Sequence, residues 1–288
     1  MGAAIGGGRA GAFGAVFGNR RRPLIGVVHL APLPGSPRYA GSMARVIERA
    51  LADAEKLARG GLDALIVENF GDAPFYPSWV PRETVAALAS AAAAVARAVS
   101  IPVGVNALRN DGAAAVACAV AAGASFVRVN VLTGAAVGDQ GILEGCAHEV
   151  ARLRADLRAP GLAVLADVSV KHAASLAARP IGQEAKDAVE RGLADAVILS
   201  GPRTGEPADL ARIADVRRAV AAPILVGSGV RADSVAGVLK LCDGVIVGTA
   251  LETGGRSGAP VDSARVKAFV AAAKRNGTRY RFRRVRSG

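Results

Sequence analysis

Short apolar runs alternate with amphipathic stretches along almost the whole chain. Runs rich in Val, Ile and Leu fall at 24–30, 63–68, 101–106, 126–131, 162–168, 195–199, 223–226 and 244–248, each short enough to be a buried strand. The stretches between them have helical periodicity. Val46, Ile47, Ala50, Leu51, Ala54, Leu57 and Ala58 share one helical face, and Gly60-Gly61 ends that helix. Similar patterns occupy 83–99, 112–122, 144–157, 183–191, 209–220, 232–239 and 262–275. Eight β-then-α units in strict alternation predict a parallel sheet with helices outside, and eight is the number that closes a (β/α)8 TIM barrel. A doubly wound open sheet is the competing arrangement. Gly227-Ser228-Gly229 comes too late in the chain, and lacks the rest of the pattern, for a Rossmann dinucleotide loop. Composition shows no break inside 24–275, so the prediction is one barrel domain over 23–276, between a flexible basic leader (1–22) and a basic tail (277–288).

In a barrel the chemistry gathers where strands end. Those ends are polar here. His29 lies near the end of the first strand, Glu68 and Asn69 at the second, and Asn106 at the third, followed by Arg109, Asn110 and Asp111. Arg128 and Asn130 share one face of the fourth, being two residues apart. Asp167 ends the fifth, with Lys171 and His172 just after, and Ser200 and Thr204 follow the sixth. Glu68 and Asp167 are candidate general acids or bases. Lys171 is a candidate for catalysis or for holding an anion. His29, Asn69, Asn106, Arg128, Asn130, His172, Ser200 and Thr204 are expected to bind substrate. An arginine at position 128 is costly facing the apolar helices but can pair with Glu68 or Asp167 inside the lumen.

The seventh and eighth strands end in Gly227-Ser228-Gly229 and Gly248-Thr249. Loops at these two places commonly bind a phosphate through backbone N–H groups, and small residues let the backbone approach the anion. Gly227, Ser228, Gly229, Gly248 and Thr249 are therefore expected to bind phosphate. No cofactor is called for. A divalent metal at His29 with Glu68, Asp167 or His172 is the minor alternative, because no HxH or HExxH spacing occurs. The loop 70–79 holds four of the eleven aromatic residues and reads as a lid or as the contact of a homo-oligomer.

Composition narrows the function classes. The chain has 288 residues, 51% of them hydrophobic. No apolar run reaches the length of a membrane span, and 86–98, the nearest, contains Arg97. Cys118, Cys146 and Cys242 are isolated and odd in number, which argues for buried thiols in a reducing compartment. The net charge of +12 resides in the tails. Arg9, Arg20, Arg21 and Arg22 lie at one end and seven Lys and Arg at 274–286 at the other, leaving a nearly neutral body. A basic groove reading a specific nucleic acid is thus not expected, although the tails can touch an anionic membrane surface. The start lacks the leucine-rich core of a signal peptide, so a cytoplasmic protein is expected. Both tails are expected to be dispensable for the barrel.

Several of these stretches resemble the BtpA/SgcQ family. They are Gly26-Val27-Val28-His29-Leu30-Ala31-Pro32-Leu33-Pro34-Gly35-Ser36-Pro37, Glu68-Asn69-Phe70-Gly71-Asp72-Ala73-Pro74-Phe75, Val105-Asn106 with Arg109-Asn110-Asp111, and Phe126-Val127-Arg128-Val129-Asn130. Asp167 through Lys171-His172-Ala173, Ser200-Gly201 with Thr204-Gly205, and Gly227-Ser228-Gly229-Val230 also match. The resemblance implies a TIM barrel over about 18–275. It also implies a role, since the founding member of the family is an assembly factor for photosystem I at the thylakoid membrane. Members also occur in organisms without photosystem I and beside sugar-transport genes. Two readings stand: an enzyme acting on a small phosphorylated sugar or nucleoside-like metabolite (lyase, isomerase or glycosidic cleavage), or a non-catalytic biogenesis factor for a membrane complex.

Overall fold

The structure, a computed structural model, describes residues 11–18, 22–177, 179–201 and 210–275. A closed barrel of eight parallel strands forms its centre: β1 (Leu24–His29), β2 (Ala64–Glu68), β3 (Val103–Asn106), β4 (Phe126–Val129), β7 (Ala163–Val168), β9 (Ala196–Ser200), β10 (Ile224–Gly227) and β11 (Gly244–Val247). They pair around the ring in sequence order, and β11 closes on β1. Helices α2 (Met43–Arg59), α3 (Arg82–Ala98), α4 (Gly112–Ala122), α5 (Ala147–Asp156), α6 (Ile181–Lys186), α7 (Leu210–Ala219), α8 (Val235–Val238) and α9 (Ser263–Arg275) fill the connections. The sequence-predicted barrel stands. Two helices depart most from their patterns: α8 keeps four residues, and α6 passes into a wider turn over Asp187–Arg191.

Side chains of a strand alternate between lumen and helix layer. The outward set, including Val28, Leu65, Val67, Val105 and Val127, packs with the helices in one large core. The inward set at the strand starts is a separate apolar plug of Ile25, Val27, Ala64, Ile66, Phe126, Ala163, Leu165, Ala196, Ile198, Leu225 and Ile246. Continuing the same period of two toward the strand ends brings His29, Glu68, Asn106, Arg128, Asp167, Ser200, Gly227 and Gly248 to the lumen. The register aligns five of them directly, His29 opposite Glu68, Glu68 opposite Asn106, and Ser200 opposite Gly227. An apolar floor under a polar layer thus follows from alternation once the barrel closes.

Two features depart from the sequence reading. The leader, expected to be flexible, contains α1 (Ala12–Phe17). Phe13 and Phe17 are buried in the plug, and the Phe17 ring centroid is 5.2 Å from that of Phe126. Aromatic residues four apart share a helical face, so this short helix covers the floor of the barrel with that face. The second departure is a three-stranded antiparallel sheet at the rim, formed by β5 (Ala135–Gly138), β6 (Gly141–Glu144) and β8 (Ala173–Ser175) in the loops after β4 and β7. It seals over Val131, Ala136, Leu143 and Val170 and shortens the fifth helix at its start.

Cys118, Cys146 and Cys242 are all buried free thiols. Among the described residues no helix is long and apolar enough to cross a membrane. Thr204 and the tail beyond 275 lie outside the described residues.

Candidate active site

The polar layer is a connected set of charges. His29 sits between two carboxylates, with Nδ1 2.6 Å from Glu252 Oε1 and Nε2 3.1 Å from Glu68 Oε1. Burial works against a charged imidazole, but hydrogen bonds to Glu252 and Glu68, with the charges of both, outweigh it and hold the His29 pKa at about 9. Burial would likewise raise Glu68, yet the bond to His29 and the charges of His29, Arg128 and Lys171 bring it down to about 2. The other Glu68 oxygen accepts from Asn106 Nδ2 at 3.2 Å. At neutral pH this is an imidazolium clamped between carboxylates.

Arg128 faces the lumen, as its strand position requires. It donates Nε to Asp167 Oδ2 at 3.0 Å and Nη2 to Asp167 Oδ1 at 3.2 Å, and its Nη1 lies 3.9 Å from Glu68 Oε2. Burial disfavours its charge, but Asp167 and Glu68 more than compensate, and its pKa rises further. Asn130 Nδ2 adds a 2.7 Å bond to Asp167 Oδ2. Both Asp167 oxygens therefore accept hydrogen bonds from within the protein. Asn130 Oδ1 and Ser200 Oγ are buried without a hydrogen-bond partner among the described residues.

Lys171 follows β7, and its ammonium has no carboxylate within ion-pair distance among the described residues. Its pKa is lowered, first by burial and then by the Arg128 charge, with Glu68 and Asp167 opposing. Of the candidate acid–base groups, it is the one not already tied to a protein partner.

Asn69, expected to bind substrate, has a different task. Its Nδ2 donates to Asp72 Oδ2 and Leu108 O, and its Oδ1 accepts from Leu108 N at 2.7 Å. It is 1% exposed, with no polar atom left for a ligand. Asp72 in turn accepts from Leu33 N, and Asp111 from Val80 N. The aromatic loop is thereby pinned on several sides. Phe70 lies against the His29 ring, with centroids 4.3 Å apart, whereas Tyr76 and Trp79 stack on each other and are exposed.

One cavity of about 590 Å³ joins the charged layer to the last two loops. His29, Glu68, Arg128 and Lys171 line one part, and Ser228, Gly229, Gly248 and Thr249 another. Ser228 and Gly229 turn the backbone with φ of 63° and 70°, a left-handed conformation natural to glycine. The amides of Gly229, Val230, Thr249 and Ala250 find no protein acceptor among the described residues. Gly248 lets the chain approach His29, since a Cβ there would lie 3.0 Å from His29 Cε1. Gly227 differs from the other phosphate candidates. It is a residue of β10 whose missing side chain makes room for Ile198 and Ser200, and it does not line the cavity. The Thr249 hydroxyl is engaged with Ser257 Oγ at 2.7 Å, whereas its amide is without an acceptor among the described residues. His172 lines a neighbouring cavity, described below.

Sequence reasoning missed Glu252. It follows β11 in an irregular stretch with no apolar period, and its pairing with His29 spans 223 residues. Besides His29 it accepts from Gly258 N at 3.1 Å. Among the described residues no three His, Cys, Asp or Glu side chains are grouped to hold a metal ion.

Known proteins sharpen the comparison. An uncharacterized protein of Pyrococcus furiosus is 48% identical over 250 residues, 87% of this chain and 94% of that one. The photosystem I biogenesis protein BtpA of Synechocystis is 45% identical over 251 residues, 87% of each chain. Among solved structures, a tryptophan synthase from Mycobacterium tuberculosis superposes with a TM-score of 0.60 at 21% identity, covering 93% of this chain and 99% of that one. A thiamine phosphate pyrophosphorylase from Pyrococcus furiosus gives 0.56 at 15% identity, covering 89% and 98%. These structural likenesses concern the fold alone. The sequence also matches the BtpA family over residues 20–275, and with relatives of such identity spanning nearly all of the barrel, the chain belongs to the BtpA family.

Proposed function

We propose that this protein is an enzyme acting on a small phosphorylated metabolite bound across the barrel mouth. The observation that carries the reading is the single cavity in which acid–base side chains and unpartnered loop amides meet. The amides at Gly229, Val230, Thr249 and Ala250 hold the phosphate, as oriented N–H groups do for anions. Lys171, with its lowered pKa, moves the proton. Glu68, ionised and fixed by His29 and Asn106, orients a substrate hydroxyl or stabilises positive charge. Glycosidic cleavage fits poorly, because it needs one carboxyl group kept protonated, whereas Glu68 is held low and Asp167 is bound on both oxygens. A lyase or isomerase reaction, with proton transfer beside a carbonyl, fits the free amine better. The test is mass spectrometry of small molecules retained by the purified full chain, together with calorimetry of inorganic phosphate. A retained phosphate ester and phosphate binding that weakens on crowding Gly229 are expected. No phosphate binding by the wild-type chain would overturn the reading.

The name of the Synechocystis relative favours a second reading, a biogenesis factor for a membrane complex. Rescue of a Synechocystis strain lacking that relative by wild type and Lys171→Met alike would support it. Rescue by wild type alone supports chemistry at the mouth.

A further inference from the structure

A second lobe, of about 470 Å³, adjoins the phosphate cavity and shares Glu68, Arg128 and Lys171 with it. Its other walls include Phe70, Phe75, Arg109 and the Asp139-Gln140 turn between β5 and β6. Arg109 is 6% exposed, as deeply buried as Arg128. The two are satisfied very differently. Arg128 has Asp167 in a two-pronged pair. Arg109 donates Nη2 to the Lys171 carbonyl, and among the described residues no carboxylate reaches ion-pair distance of its guanidinium. A guanidinium carries five N–H donors and cannot shed its charge, so one carbonyl leaves most of them to whatever fills the lobe, water or ligand. Burial accordingly pushes its pKa down, and the charges of Asp167, Asp139 and Glu68 only partly restore it against Arg128.

An anion in the second lobe would use those donors. Arg128 is matched by Asp167, and His29 by Glu68 and Glu252, so among the described residues Arg109 is the guanidinium of this layer without a carboxylate of its own. The planar fork of arginine matches a carboxylate bidentately, and the Phe70 and Phe75 rings help exclude water. We infer that Arg109 binds a carboxylate of the substrate, so that the substrate is a phosphorylated acid whose two ends lie on either side of Lys171. The inference rests on the phosphate site proposed above and adds the second end of the substrate.

The full chain is tested by calorimetry with inorganic phosphate and with matched pairs that differ only in a carboxylate: 3-phosphoglycerate against glycerol 3-phosphate, 4-phosphoerythronate against erythritol 4-phosphate, and 6-phosphogluconate against sorbitol 6-phosphate. At least one acid is expected to bind roughly tenfold tighter than its alcohol partner, the scale of one strong charge-assisted pair. Arg109→Met should abolish that preference and leave inorganic phosphate binding unchanged. Should that variant not fold, Arg109→Lys keeps the charge without the fork and should still reduce the preference. Phosphate binding with no acid preferred in any pair, or a preference that survives these substitutions, would overturn the assignment. Tighter binding of 2,3-bisphosphoglycerate than of 3-phosphoglycerate would overturn it in favour of a second phosphate. Failure of inorganic phosphate to bind would instead remove the phosphate site on which the inference stands.

Discussion

Glu252 Oε1 lies 2.6 Å from Nδ1 of His29, across the seam where the first and last barrel strands meet. The contact fixes the imidazole from behind, so that its other nitrogen points at Glu68 in the lumen. It also ties the loop after β11, which carries Gly248 and Thr249, to the charged layer. The strand ladder between β1 and β11 closes the barrel, and this buried ion pair links that seam to the loop that lines the mouth.

Stability should follow the titration of His29 and of its lumen partner Glu68. His29 is held at about 9 against 6.5 when free, so its contribution is complete below pH 6.5 and is lost as pH rises through 9. Glu68 is held at about 2 against 4.5, so its contribution is complete above pH 4.5 and is lost as pH falls through 2. The expected profile is a plateau from pH 4.5 to 6.5 with a decline on each side. Each flank is worth about 3 kcal/mol at most, and both report largely the same contact, so they do not add. Denaturant melts across the range check this. Glu252→Gln should flatten the alkaline flank, and a wild-type stability unchanged between pH 6.5 and 9 would refute the account.

Arg128→Met should destabilise the fold by about 3–5 kcal/mol, because it leaves Asp167 buried beside Asn130 without its cation. Arg128→Met with Asp167→Leu should recover much of the loss, since the costly species is the unpaired charge and not the missing bond. Equilibrium unfolding of the single and double variants separates the two. A double variant as unstable as the single would show that packing around Arg128, and not charge, sets the cost.

Gly248→Ala should disturb the clamp without touching its charges. The added methyl would sit 3.0 Å from His29 Cε1 and 3.3 Å from Nε2, tighter than most packing contacts, so the ring is expected to give by a few tenths of an ångström. His29 should then titrate lower by about one pH unit, as bonds to carboxylates are what hold it up. Imidazole NMR follows this directly. Unchanged titration, with phosphate binding also unchanged, would show that the loop yields instead of the ring.

Much of the site was legible because two regularities act together. The repeat of eight βα units predicts the barrel, and the period of two then assigns His29, Glu68, Asn106, Arg128 and Asp167 to the lumen. What escaped lies where neither regularity operates. Glu252 belongs to an irregular loop, and nothing local marks a partner 223 residues away. The strands β5, β6 and β8 are only three or four residues each (Ala-Ala-Val-Gly, Gly-Ile-Leu-Glu and Ala-Ala-Ser), too short to show a period. Asn69 looks like a ligand residue because it adjoins Glu68, yet leaving the strand turns it into the loop, where backbone groups consume its amide. Arg109 was legible as a rim residue, but its lack of a carboxylate partner among the described residues emerges only when burial and partners are known.

The helix α1 was hidden in a Gly- and Ala-rich leader, and its packing sets up a test of the expectation that the whole N-terminal segment is dispensable. Phe13 and Phe17 are 8% and 7% exposed, and they cover a plug whose members are otherwise all strand residues. Phe17→Ala should therefore destabilise the barrel by about 3 kcal/mol through lost burial and the gap left against Phe126. Deletion of residues 1–18 should cost at least as much. Neither change should alter phosphate affinity, because the plug separates α1 from the polar layer by the inward Ile25, Ile66, Leu165 and Ile198. Thermal denaturation beside calorimetry distinguishes the two effects. A truncated chain with an unchanged melting temperature would show that α1 lies on the floor without stabilising it, and a loss of phosphate binding at full stability would place α1 in communication with the mouth.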